Sequence, residues 1–467
     1  MPDNHAGPRP DLSTIIKAYD VRGLVPIDFD DTIARALGAA FALFTGAPRI
    51  VIARDMRESG VSLSQAFADG VTNQGTDVVD AGLGSTDLLY FAAGTLQIPG
   101  AMFTASHNPA RYNGIKLCLA GARPVGQDSG LAQIRAEAER FLTEGLPASA
   151  GGRGTVSGQD LLADYGSYLR ELVPALAGVR RLKVVVDAGS GMAGFTVPST
   201  LAGLPLDITP MYFELDGSFP HHEANPIEPA NTADLQARVL AEGADLGLAF
   251  DGDADRCFVV DERGERVDPS TLTALIAERE LAREPGCTII HNLITSRAVP
   301  EIVAERGGTP VRTRVGHSFI KAEMARTGAI FGGEHSGHFY FRDFWNADSG
   351  MLAALHTLAA LGTQDAPLSG LLSSYSRYAA SGEVNSTVAD PAERIAAIRA
   401  AYDGLDLDEL DGLTVTSPER WWFNVRPSNT EPLLRLNVEA PDMPTMRRVR
   451  DEVLAVVRAG ASVGSHL

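Results

Sequence analysis

The segment Thr104–Pro109, with the sequence Thr-Ala-Ser-His-Asn-Pro, combines a hydroxyl nucleophile with a possible proton carrier. It follows an apolar run, Ile98–Phe103, that predicts a short buried strand. Ser106 would then stand beyond the carboxyl end of a strand, which is where open α/β sheets bind ligands. His107 and Lys116 add two side chains that can carry protons or bind phosphate. The spacing therefore predicts a serine presented for chemistry, although an ordinary turn stays open as an alternative.

Two residues that interrupt regular structure, Pro109 and Gly114, come just after this serine. Proline and glycine both disfavour the continuation of a helix or a strand. The sequence therefore predicts that Ser106 lies on a turn and that no regular element continues through Asn113–Lys116.

Three carboxylates occupy alternate positions on a second predicted turn, at Asp251, Asp253 and Asp255. Oxygen ligands at this spacing suit a hard cation such as Mg²⁺ or Ca²⁺. A calcium-binding EF-hand is one alternative, since Glu262 stands at its twelfth position. However, Arg256 occupies the sixth position, where that loop needs glycine, and Cys257–Val260 predicts an apolar strand. A solvated acidic turn also stays open, but carboxylates this dense are unfavourable without a counterion.

Two further polar clusters lie later in the chain. In Gly332–His338, a glutamate and a serine flanked by glycines make a loop suited to sugar hydroxyls, and its last residue is a histidine, which can carry a proton. In Arg426–Pro432, followed by Arg435, arginines, hydroxyls, an amide and loop N–H groups suit a phosphate. An ordinary polar turn stays open as the interpretation of each.

The elements that must position these clusters follow a repeated order of strand, helix, strand, helix and strand. Such alternation predicts parallel strands with right-handed crossovers covered by helices. Because a polar cluster follows the last strand of each copy, the loops around Ser106, Asp251 and Glu334 are expected to converge on one cleft. The predicted strands are Arg49–Arg54, Asp77–Asp80, Ile98–Phe103, Leu182–Asp187, Leu206–Phe213, Leu246–Phe250, Cys287–Leu293, Thr309–Val315 and Ala329–Phe331. The predicted helices are Val61–Val71, Leu88–Ala93, Thr232–Glu242, Ala298–Glu305 and Ser318–Arg326.

The last part of the chain has a different order of elements. It predicts a strand at Gly382–Val388, a helix at Pro391–Ala401, a strand pair within Leu413–Val425 and a final helix at Met443–Ala459. This order is typical of an α+β domain.

Linkers divide the chain into four predicted domains. Gly145–Gly158 is rich in glycine, alanine and serine, Asp261–Asp268 is a charged turn, and Asp365–Pro367 marks a third boundary. We place the domains at residues 1–150, 151–260, 261–370 and 371–467. The predicted fold class is α/β, with three similar α/β domains of mostly parallel mixed sheets and a C-terminal α+β domain around a central cleft.

Composition limits the class of protein. With 467 residues the chain is too long for one hydrophobic core. Its 59 acidic and 40 basic residues give a net charge of −19, which argues against nucleic acid or an anionic membrane as a partner. No apolar run reaches the length of a membrane span, and the first ten residues do not read as a secretion signal. The 3 cysteines have neither metal-binding nor disulfide spacing, so a cytoplasmic location is expected.

The four clusters, in this order and spacing, resemble the α-D-phosphohexomutase superfamily, and most closely its bacterial phosphomannomutase/phosphoglucomutase branch. The resemblance covers nearly the whole chain, from Lys17–Gly23 to Leu436. It also includes Arg54–Arg57, Asp216–Pro220 and Val315–His317.

The resemblance implies an isomerase of the intramolecular phosphotransferase kind and gives each cluster a role. Ser106 would carry a phosphoryl group, and one Mg²⁺ per chain would be bound by Ser106, Asp251, Asp253 and Asp255. The candidate catalytic residues are Ser106, His107, Lys116, Arg22 and His338. The candidate substrate-binding residues are Tyr19, Arg256, Gly316, His317, Glu334, Ser336, Arg426, Ser428, Asn429, Thr430 and Arg435.

The implied reaction interconverts mannose 1-phosphate and mannose 6-phosphate, and also the glucose phosphates, through a hexose 1,6-bisphosphate that serves as intermediate and activator. A phosphoglucosamine mutase or a sugar-phosphate phosphatase using the same serine stays open, as does a non-catalytic sugar-phosphate-binding protein. The expected partners are small phosphorylated hexoses, and the sequence leaves monomer and homodimer open.

Overall fold

The computed structural model of the chain describes residues 11–17, 19–149, 151–428 and 433–459. The chain divides into two compact units. Unit 1 consists of Met1–Pro269, Met324–Phe331 and Ser336–Leu371, and unit 2 of Ser270–Glu323, Gly332–His335 and Leu372–Leu467. None of the described helices is long and apolar enough to cross a membrane.

The first sheet of unit 1 has seven strands. The strands are β1 (Val21–Leu24), β2 (Arg49–Arg54), β3 (Asp77–Leu83), β4 (Gly100–Phe103), β5 (Tyr112–Leu119), β6 (Arg123–Pro124) and β7 (Val156–Gly158). The helices of this part are α1 (Asp31–Thr45), α2 (Ser59–Asn73), α3 (Thr86–Leu96), α4 (Leu131–Glu144) and α5 (Leu162–Glu171). The strand order is β1-β5-β4-β2-β3-β7, with β6 beside β5.

The predicted mixed character of this sheet is confirmed. Strand β2 pairs in parallel with β3 and with β4, whereas β5 runs antiparallel to β4 and to β1. The central residues of β2 and all of β4 are apolar and buried, as expected for parallel strands covered on both faces. Three of the predicted strands correspond to β2, β3 and β4.

The prediction that no regular element continues through Asn113–Lys116 is wrong. These residues lie in β5, where Gly114 pairs with Arg22 of β1. Pro109 lies before β5 begins and so removes no hydrogen bond from the sheet. A side chain at position 114 would come within 2.0 Å of the carbonyl oxygen of Val21. The glycine therefore permits the close approach of β1 instead of ending the strand.

The second sheet of unit 1 has four strands in the order β11-β10-β8-β9. Its elements are β8 (Leu182–Asp187), α6 (Ala193–Thr200), β9 (Leu206–Met211), α7 (Ala233–Glu242), β10 (Leu246–Phe250) and β11 (Cys257–Asp261). Strand β8 is parallel to β9 and β10, and β11 is antiparallel to β10. The predicted strand at Cys257–Val260 is confirmed as part of β11. An EF-hand is excluded here, because the aspartate loop joins two strands instead of two helices.

The next elements are divided between the two units. They are α8 (Pro269–Arg283), β12 (Thr288–Asn292), α9 (Ala298–Glu305), β13 (Thr309–Thr313), α10 (His317–Thr327), β14 (Phe331–Gly333), β15 (Phe339–Phe341), β16 (Ala347–Asp348) and α11 (Gly350–Gly362). In unit 2, β12 pairs in parallel with β13, and in unit 1, β15 pairs antiparallel with β16. The helix predicted at Ala298–Glu305 is confirmed, whereas the strand predicted at Ala329–Phe331 begins later, at Phe331.

The C-terminal part of unit 2 is an antiparallel sheet with helices against it. Helix α12 (Leu368–Leu372) comes before it in the chain, with all but its last residue in unit 1. The elements that follow in unit 2 are β17 (Ala379–Thr387), α13 (Pro391–Ala401), β18 (Asp406–Asp408), β19 (Leu413–Thr416), β20 (Trp422–Pro427), β21 (Leu433–Ala440) and α14 (Met443–Val457). The strand order is β17-β21-β20-β19-β18. Phe423 of the sheet and Val449 and Val453 of α14 share one buried core. The predicted α+β character is confirmed, but β21 was not predicted.

Candidate active site

Ser106 lies on a turn directly after β4, as predicted. Its backbone adopts the left-handed conformation with a φ of 50°, which is uncommon for a residue with a side chain. The backbone N–H of Ser106 donates to Thr104 Oγ1 at 2.8 Å. Its Oγ donates to Asp251 Oδ2 at 2.8 Å and lies 3.2 Å from His107 Nδ1. The turn therefore aims the hydroxyl at the aspartate loop, 145 residues away in sequence.

The three aspartates predicted as metal ligands are buried together in unit 1. One oxygen from each of Asp251, Asp253 and Asp255 lies within 4.8 Å of the others. Two of their oxygens, Asp253 Oδ1 and Asp255 Oδ1, are buried and have no hydrogen-bond partner among the described residues. Unpaired buried carboxylate oxygens are unfavourable, and oxygen donors this close suit a divalent cation. These residues therefore fit one metal ion.

Two side chains from earlier in unit 1, one on a strand and one on a helix, hold the aspartates in place. Lys116 Nζ, on β5, donates to Asp253 Oδ2 at 2.7 Å and to Asp255 Oδ2 at 2.6 Å. Thr86, at the start of α3, donates from Oγ1 to Asp253 Oδ2 at 2.6 Å and from its backbone N–H to the Asp253 carbonyl at 3.0 Å. Thr86 was not predicted as a site residue, because nothing in the sequence relates it to a partner 167 positions later.

Burial and neighbouring charges shift the pKa values of the aspartates and of Lys116. Burial, with the charges of Asp255 and Asp253, raises the pKa of Asp251 to about 8 against the lowering effect of Arg256. Burial also disfavours the charged form of Asp253, but Lys116 outweighs it and lowers the pKa of Asp253. Burial alone would lower the pKa of Lys116, yet Asp253 and Asp255 hold it well above its ordinary value. Three adjacent carboxylates ionise together only with positive charge beside them, which a bound cation adds to Lys116.

Two arginines near Ser106 offer unpaired donors. Arg22 Nη1 donates to Asn108 Oδ1 at 2.6 Å, and Arg256 Nε donates to Asp251 Oδ2 at 2.9 Å. Each guanidinium keeps one buried nitrogen, Arg22 Nε and Arg256 Nη2, without a partner in the described part of the chain. A guanidinium stays charged and presents several donors, which suits phosphate oxygens. The surroundings of Ser106 can therefore bind an anion.

The two predicted catalytic histidines have different surroundings. Burial lowers the pKa of His107 well below its ordinary value, and the two arginines lower it further, so this imidazole is neutral near neutral pH. His338 Nε2 lies 3.7 Å from Asp255 Oδ1, and its Nδ1 lies 2.9 Å from Ser336 Oγ. His338 is therefore beside the aspartates, within reach of a proton-transfer role. Tyr19, a predicted substrate-binding residue, is half-buried in unit 1.

The predicted sugar-binding residues of the loop Gly332–His338 are divided between the units, since Ser336 belongs to unit 1 and Glu334 to unit 2. Glu334 Oε1 accepts from the backbone N–H of Gly316 at 3.2 Å and from Asn292 Nδ2 at 3.2 Å. His317 begins α10 directly after this glycine. The structure therefore brings Glu334 and Gly316 together, with Asn292, the last residue of β12, as an unpredicted neighbour.

Arg426 and Arg435 lie opposite each other on the paired strands β20 and β21. Arg426 Nη2 and Arg435 Nη1 donate to the two oxygens of Glu383 on β17, at 2.7 Å and 3.1 Å. Glu383 was not predicted, yet it orients both guanidinium groups. The other residues predicted for this cluster are Ser428, which follows β20, and Asn429 and Thr430, which lie outside the described residues.

Four family models match the chain, one after another. They are "Phosphoglucomutase/phosphomannomutase, alpha/beta/alpha domain I" over residues 13–142, "domain II" over 164–264, "domain III" over 268–378, and "C-terminal domain" over 383–456.

Individual relatives match over nearly their whole length. A phosphomannomutase of Escherichia coli is 38% identical over 455 residues, which is 95% of this chain and 99% of the relative. A phosphomannomutase/phosphoglucomutase of Pseudomonas aeruginosa is 36% identical over 453 residues, which is 94% of each protein. A solved structure of a phosphoglucomutase/phosphomannomutase family protein from Burkholderia thailandensis has a TM-score of 0.85 at 32% identity, covering 97% of this chain and 99% of that one.

The fold and these matches define the class first: the protein is an enzyme, an isomerase of the phosphotransferase kind. More particularly, the chain belongs to the phosphoglucomutase/phosphomannomutase family of the α-D-phosphohexomutase superfamily, so the predicted resemblance is confirmed.

Proposed function

We propose that the chain is a phosphomannomutase that interconverts mannose 1-phosphate and mannose 6-phosphate, and also the glucose phosphates. The observation that carries the proposal is the 2.8 Å hydrogen bond from Ser106 Oγ to Asp251 within a buried trio of carboxylates. A serine in this setting is suited to carry a phosphoryl group next to a cation. Two relatives support the substrate class. One, at 38% identity, is named phosphomannomutase, and the other, at 36% identity, is named phosphomannomutase/phosphoglucomutase.

A phosphorylated serine explains how phosphate can move between two distant positions of the sugar. One fixed group cannot move phosphate directly between C1 and C6, because these oxygens lie at opposite ends of the sugar ring. Phosphorylated Ser106 donates its phosphoryl group to the free hydroxyl, which loses its proton to a base, and Oγ keeps the electrons of the broken P–O bond. The product is a hexose 1,6-bisphosphate. After the sugar turns round, Ser106 takes the other phosphoryl group and the isomeric monophosphate leaves.

The proposed metal site would stabilise negative charge on the serine oxygen. Asp251, Asp253 and Asp255, together with an oxygen of phosphorylated Ser106, would hold one Mg²⁺. When bound, the cation supplies positive charge that stabilises the serine oxygen as its bond to phosphorus breaks. The unpaired oxygens of Asp253 and Asp255 support this assignment.

The chain's own cations bind the transferring group. Arg22 Nε and Arg256 Nη2 would donate to phosphoryl oxygens, since both nitrogens are buried without a partner among the described residues. Lys116 adds positive charge beside the aspartates. His338 and Lys116 are our candidates for moving the proton of the sugar hydroxyl. His107 Nδ1 lies 3.2 Å from Ser106 Oγ, so a neutral imidazole with its proton on Nδ1 can donate a hydrogen bond to that oxygen.

The remaining side chains would bind the sugar and its other phosphate. The proposed contacts with sugar hydroxyls come from Tyr19, Gly316, His317, Glu334 and Ser336. Arg426 and Arg435 would bind the phosphate that is not reacting, with Ser428, Asn429 and Thr430. Glu383 supports this role, because it already aligns both guanidinium groups for a ligand with paired oxygens.

The proposal is tested by following isomer formation and release of inorganic phosphate from mannose 1-phosphate, glucose 1-phosphate and glucosamine 1-phosphate. Each assay contains Mg²⁺ and a trace of the matching 1,6-bisphosphate, and Ser106→Ala is the matched control. We expect mannose and glucose isomers to form with little phosphate release, and no turnover by Ser106→Ala.

Other outcomes would assign other functions. Activity on glucosamine 1-phosphate alone would identify a phosphoglucosamine mutase, and phosphate release without isomers would identify a phosphatase. Tight binding of a hexose phosphate without turnover would leave a non-catalytic binding protein.

A further inference from the structure

Arg57 lies between β2 and α2 of unit 1, and only 1% of its surface is exposed. A guanidinium stays charged, so its burial is unfavourable unless its donors are satisfied. The proposed reaction gives this residue no role. Its contacts show what it does instead.

All five N–H groups of the Arg57 guanidinium have acceptors, and four of these are carbonyl oxygens of residues 106–112, the loop after β4 together with the first residue of β5. The carbonyl acceptors belong to Ser106 at 2.9 Å, Asn108 at 2.7 Å, Pro109 at 2.9 Å and Tyr112 at 2.8 Å. The fifth donor, Nε, lies 3.2 Å from Asp55 Oδ2, and Asp55 Oδ1 accepts from the backbone N–H of Arg57 at 3.0 Å. One planar group therefore binds both ends of the loop that carries Ser106.

This loop depends on such contacts because its conformation is unfavourable by itself. Ser106 has a φ of 50°, in the region that disfavours residues with a side chain. Residues 104–111, between β4 and β5, belong to no strand, so the regular ladder of the sheet does not fix their backbone. The direction of the Ser106 side chain is therefore set by whatever holds the loop backbone.

We propose that Arg57 is a positioning residue for phosphoryl transfer, which fixes the backbone of Ser106 and so the direction of its hydroxyl and phosphate. The inference rests on the proposed function, since that function gives Ser106 the phosphoryl group. Arg57 has no N–H left for substrate, so it acts only through the loop. Its loss turns Ser106 Oγ away from Asp251 and slows transfer, while the residues that bind sugar keep their contacts.

Lysine cannot replace Arg57 in this role. An ammonium has three donors, whereas the guanidinium serves five acceptors in one plane. The ring of Phe219 also lies 5.1 Å from the guanidinium carbon, a contact that favours the planar group. Arg57→Lys therefore keeps the charge beside Asp55 but releases part of the loop.

The test compares the unaltered protein, Arg57→Lys and the control Arg170→Lys. Arg170 also donates to two backbone carbonyls of unit 1, those of Ser199 at 2.7 Å and Thr200 at 2.9 Å at the end of α6, and none of its described hydrogen bonds involves a residue of the site. Three quantities are measured: kcat and KM for mannose 1-phosphate, the rate at which Ser106 is phosphorylated by glucose 1,6-bisphosphate, and amide hydrogen exchange of residues 104–112.

We expect Arg57→Lys to lower kcat and the phosphorylation rate by about 100-fold, as misplacement of a reacting group by an ångström does. KM should stay within about threefold, because substrate-binding residues are unchanged. Exchange should accelerate in residues 104–112 and remain unchanged elsewhere. Arg170→Lys should match the unaltered protein in all three measurements.

Equal kcat and equal loop exchange in Arg57→Lys and Arg170→Lys would overturn the inference. A merely structural role would instead raise exchange throughout unit 1. If Arg57→Lys does not fold, Asp55→Asn replaces it, since this isosteric change misaligns the guanidinium without removing a donor. A loss of about tenfold in kcat is then expected, and unchanged kcat and exchange would overturn the inference.

Failure of the inference and failure of the proposed function give different results. If the unaltered protein does not take up phosphate on Ser106, the proposed function fails, whatever Arg57 does. If it does, and Arg57→Lys is phosphorylated equally fast with equal loop exchange, only the role of Arg57 fails.

Discussion

The hydroxyl of Ser106 donates to Asp251, one of the three buried aspartates that fit a metal ion. Ser106→Ala removes the proposed phosphoryl carrier and leaves the substrate-binding side chains intact. We expect turnover to fall below about one-thousandth, while calorimetric binding of mannose 1-phosphate changes little. Ser62→Ala, on the exposed side of α2, is the control. Full activity of Ser106→Ala would refute the assigned carrier.

The side chain of Asp253 is held by two donors, Lys116 Nζ and Thr86 Oγ1. Asp253→Asn keeps the size of the side chain but removes a negative charge that attracts a cation. We expect at least about a tenfold weaker Mg²⁺ affinity, measured by calorimetry and by the Mg²⁺ dependence of activity. Asp128→Asn, at an exposed position, should leave both unchanged. An unaltered Mg²⁺ response in Asp253→Asn would count against the metal site.

Sequence spacing predicted the residues that act through neighbours in the chain. The three alternating aspartates lie within a few positions of one another, so their spacing alone predicted a metal site. The structure confirms that they are buried together. Thr86 and Glu383 could not be predicted in this way. Threonine and glutamate are common, and their importance here depends on partners brought close only by folding, such as Asp253, 167 positions from Thr86.

At the scale of elements, α1 and α2 pack unusually close. A side chain on Gly38 of α1 would come within 2.1 Å of the carbonyl oxygen of Phe67 on α2. Gly38→Ala must therefore push the helices apart and is expected to destabilise unit 1 by about 1–3 kcal/mol. The urea midpoint of unfolding measures this. Gly178→Ala, with nothing within 4 Å of the added carbon, should not lower it. Equal midpoints for both variants would contradict the close packing.

Elements whose pattern is local were predicted better than those that depend on distant strands. The helix at Ala298–Glu305 and the strand at Leu246–Phe250 have the predicted bounds, because their apolar runs end at clear turn signals. Strand β5 was missed since Gly114 reads as a breaker when only neighbouring residues are considered. A glycine at position 114 is favourable only because β1, a strand much earlier in the sequence, packs too close for a side chain there.

At the scale of the whole molecule, charge is distributed unevenly. The net charge is −19, yet unit 1 gathers Arg22, Lys116 and Arg256 around Ser106 and the aspartates. In unit 2, Arg426 and Arg435 likewise lie opposite each other on neighbouring strands. An acidic molecule with local basic sites repels phosphate polymers and still binds small phosphorylated ligands. This agrees with the hexose phosphates that the family acts on.

The stability of unit 1 depends on pH through His222. Its Nε2 lies 3.0 Å from Asp187 Oδ2 and its Nδ1 2.9 Å from the carbonyl oxygen of Glu223, so the ring is best satisfied when both nitrogens carry protons. Burial alone would lower the pKa of His222, but the hydrogen bond and charge of Asp187 outweigh it and raise the pKa. A group whose pKa is raised by folding stabilises the folded state fully below its unfolded pKa of about 6.5. That contribution is lost as the pH rises through the higher folded pKa.

His222→Gln should therefore destabilise the protein mainly at low pH. We expect the thermal midpoint to fall by roughly 2–4 °C at about pH 6 and by clearly less at about pH 9. His221→Gln is the matched control, because its ring stacks on Tyr212 with centroids 4.0 Å apart, a contact that does not require a proton. Any loss from His221→Gln should be similar at both pH values. An equal loss at both pH values for His222→Gln would show that its packing, and not its charge beside Asp187, stabilises this part of unit 1.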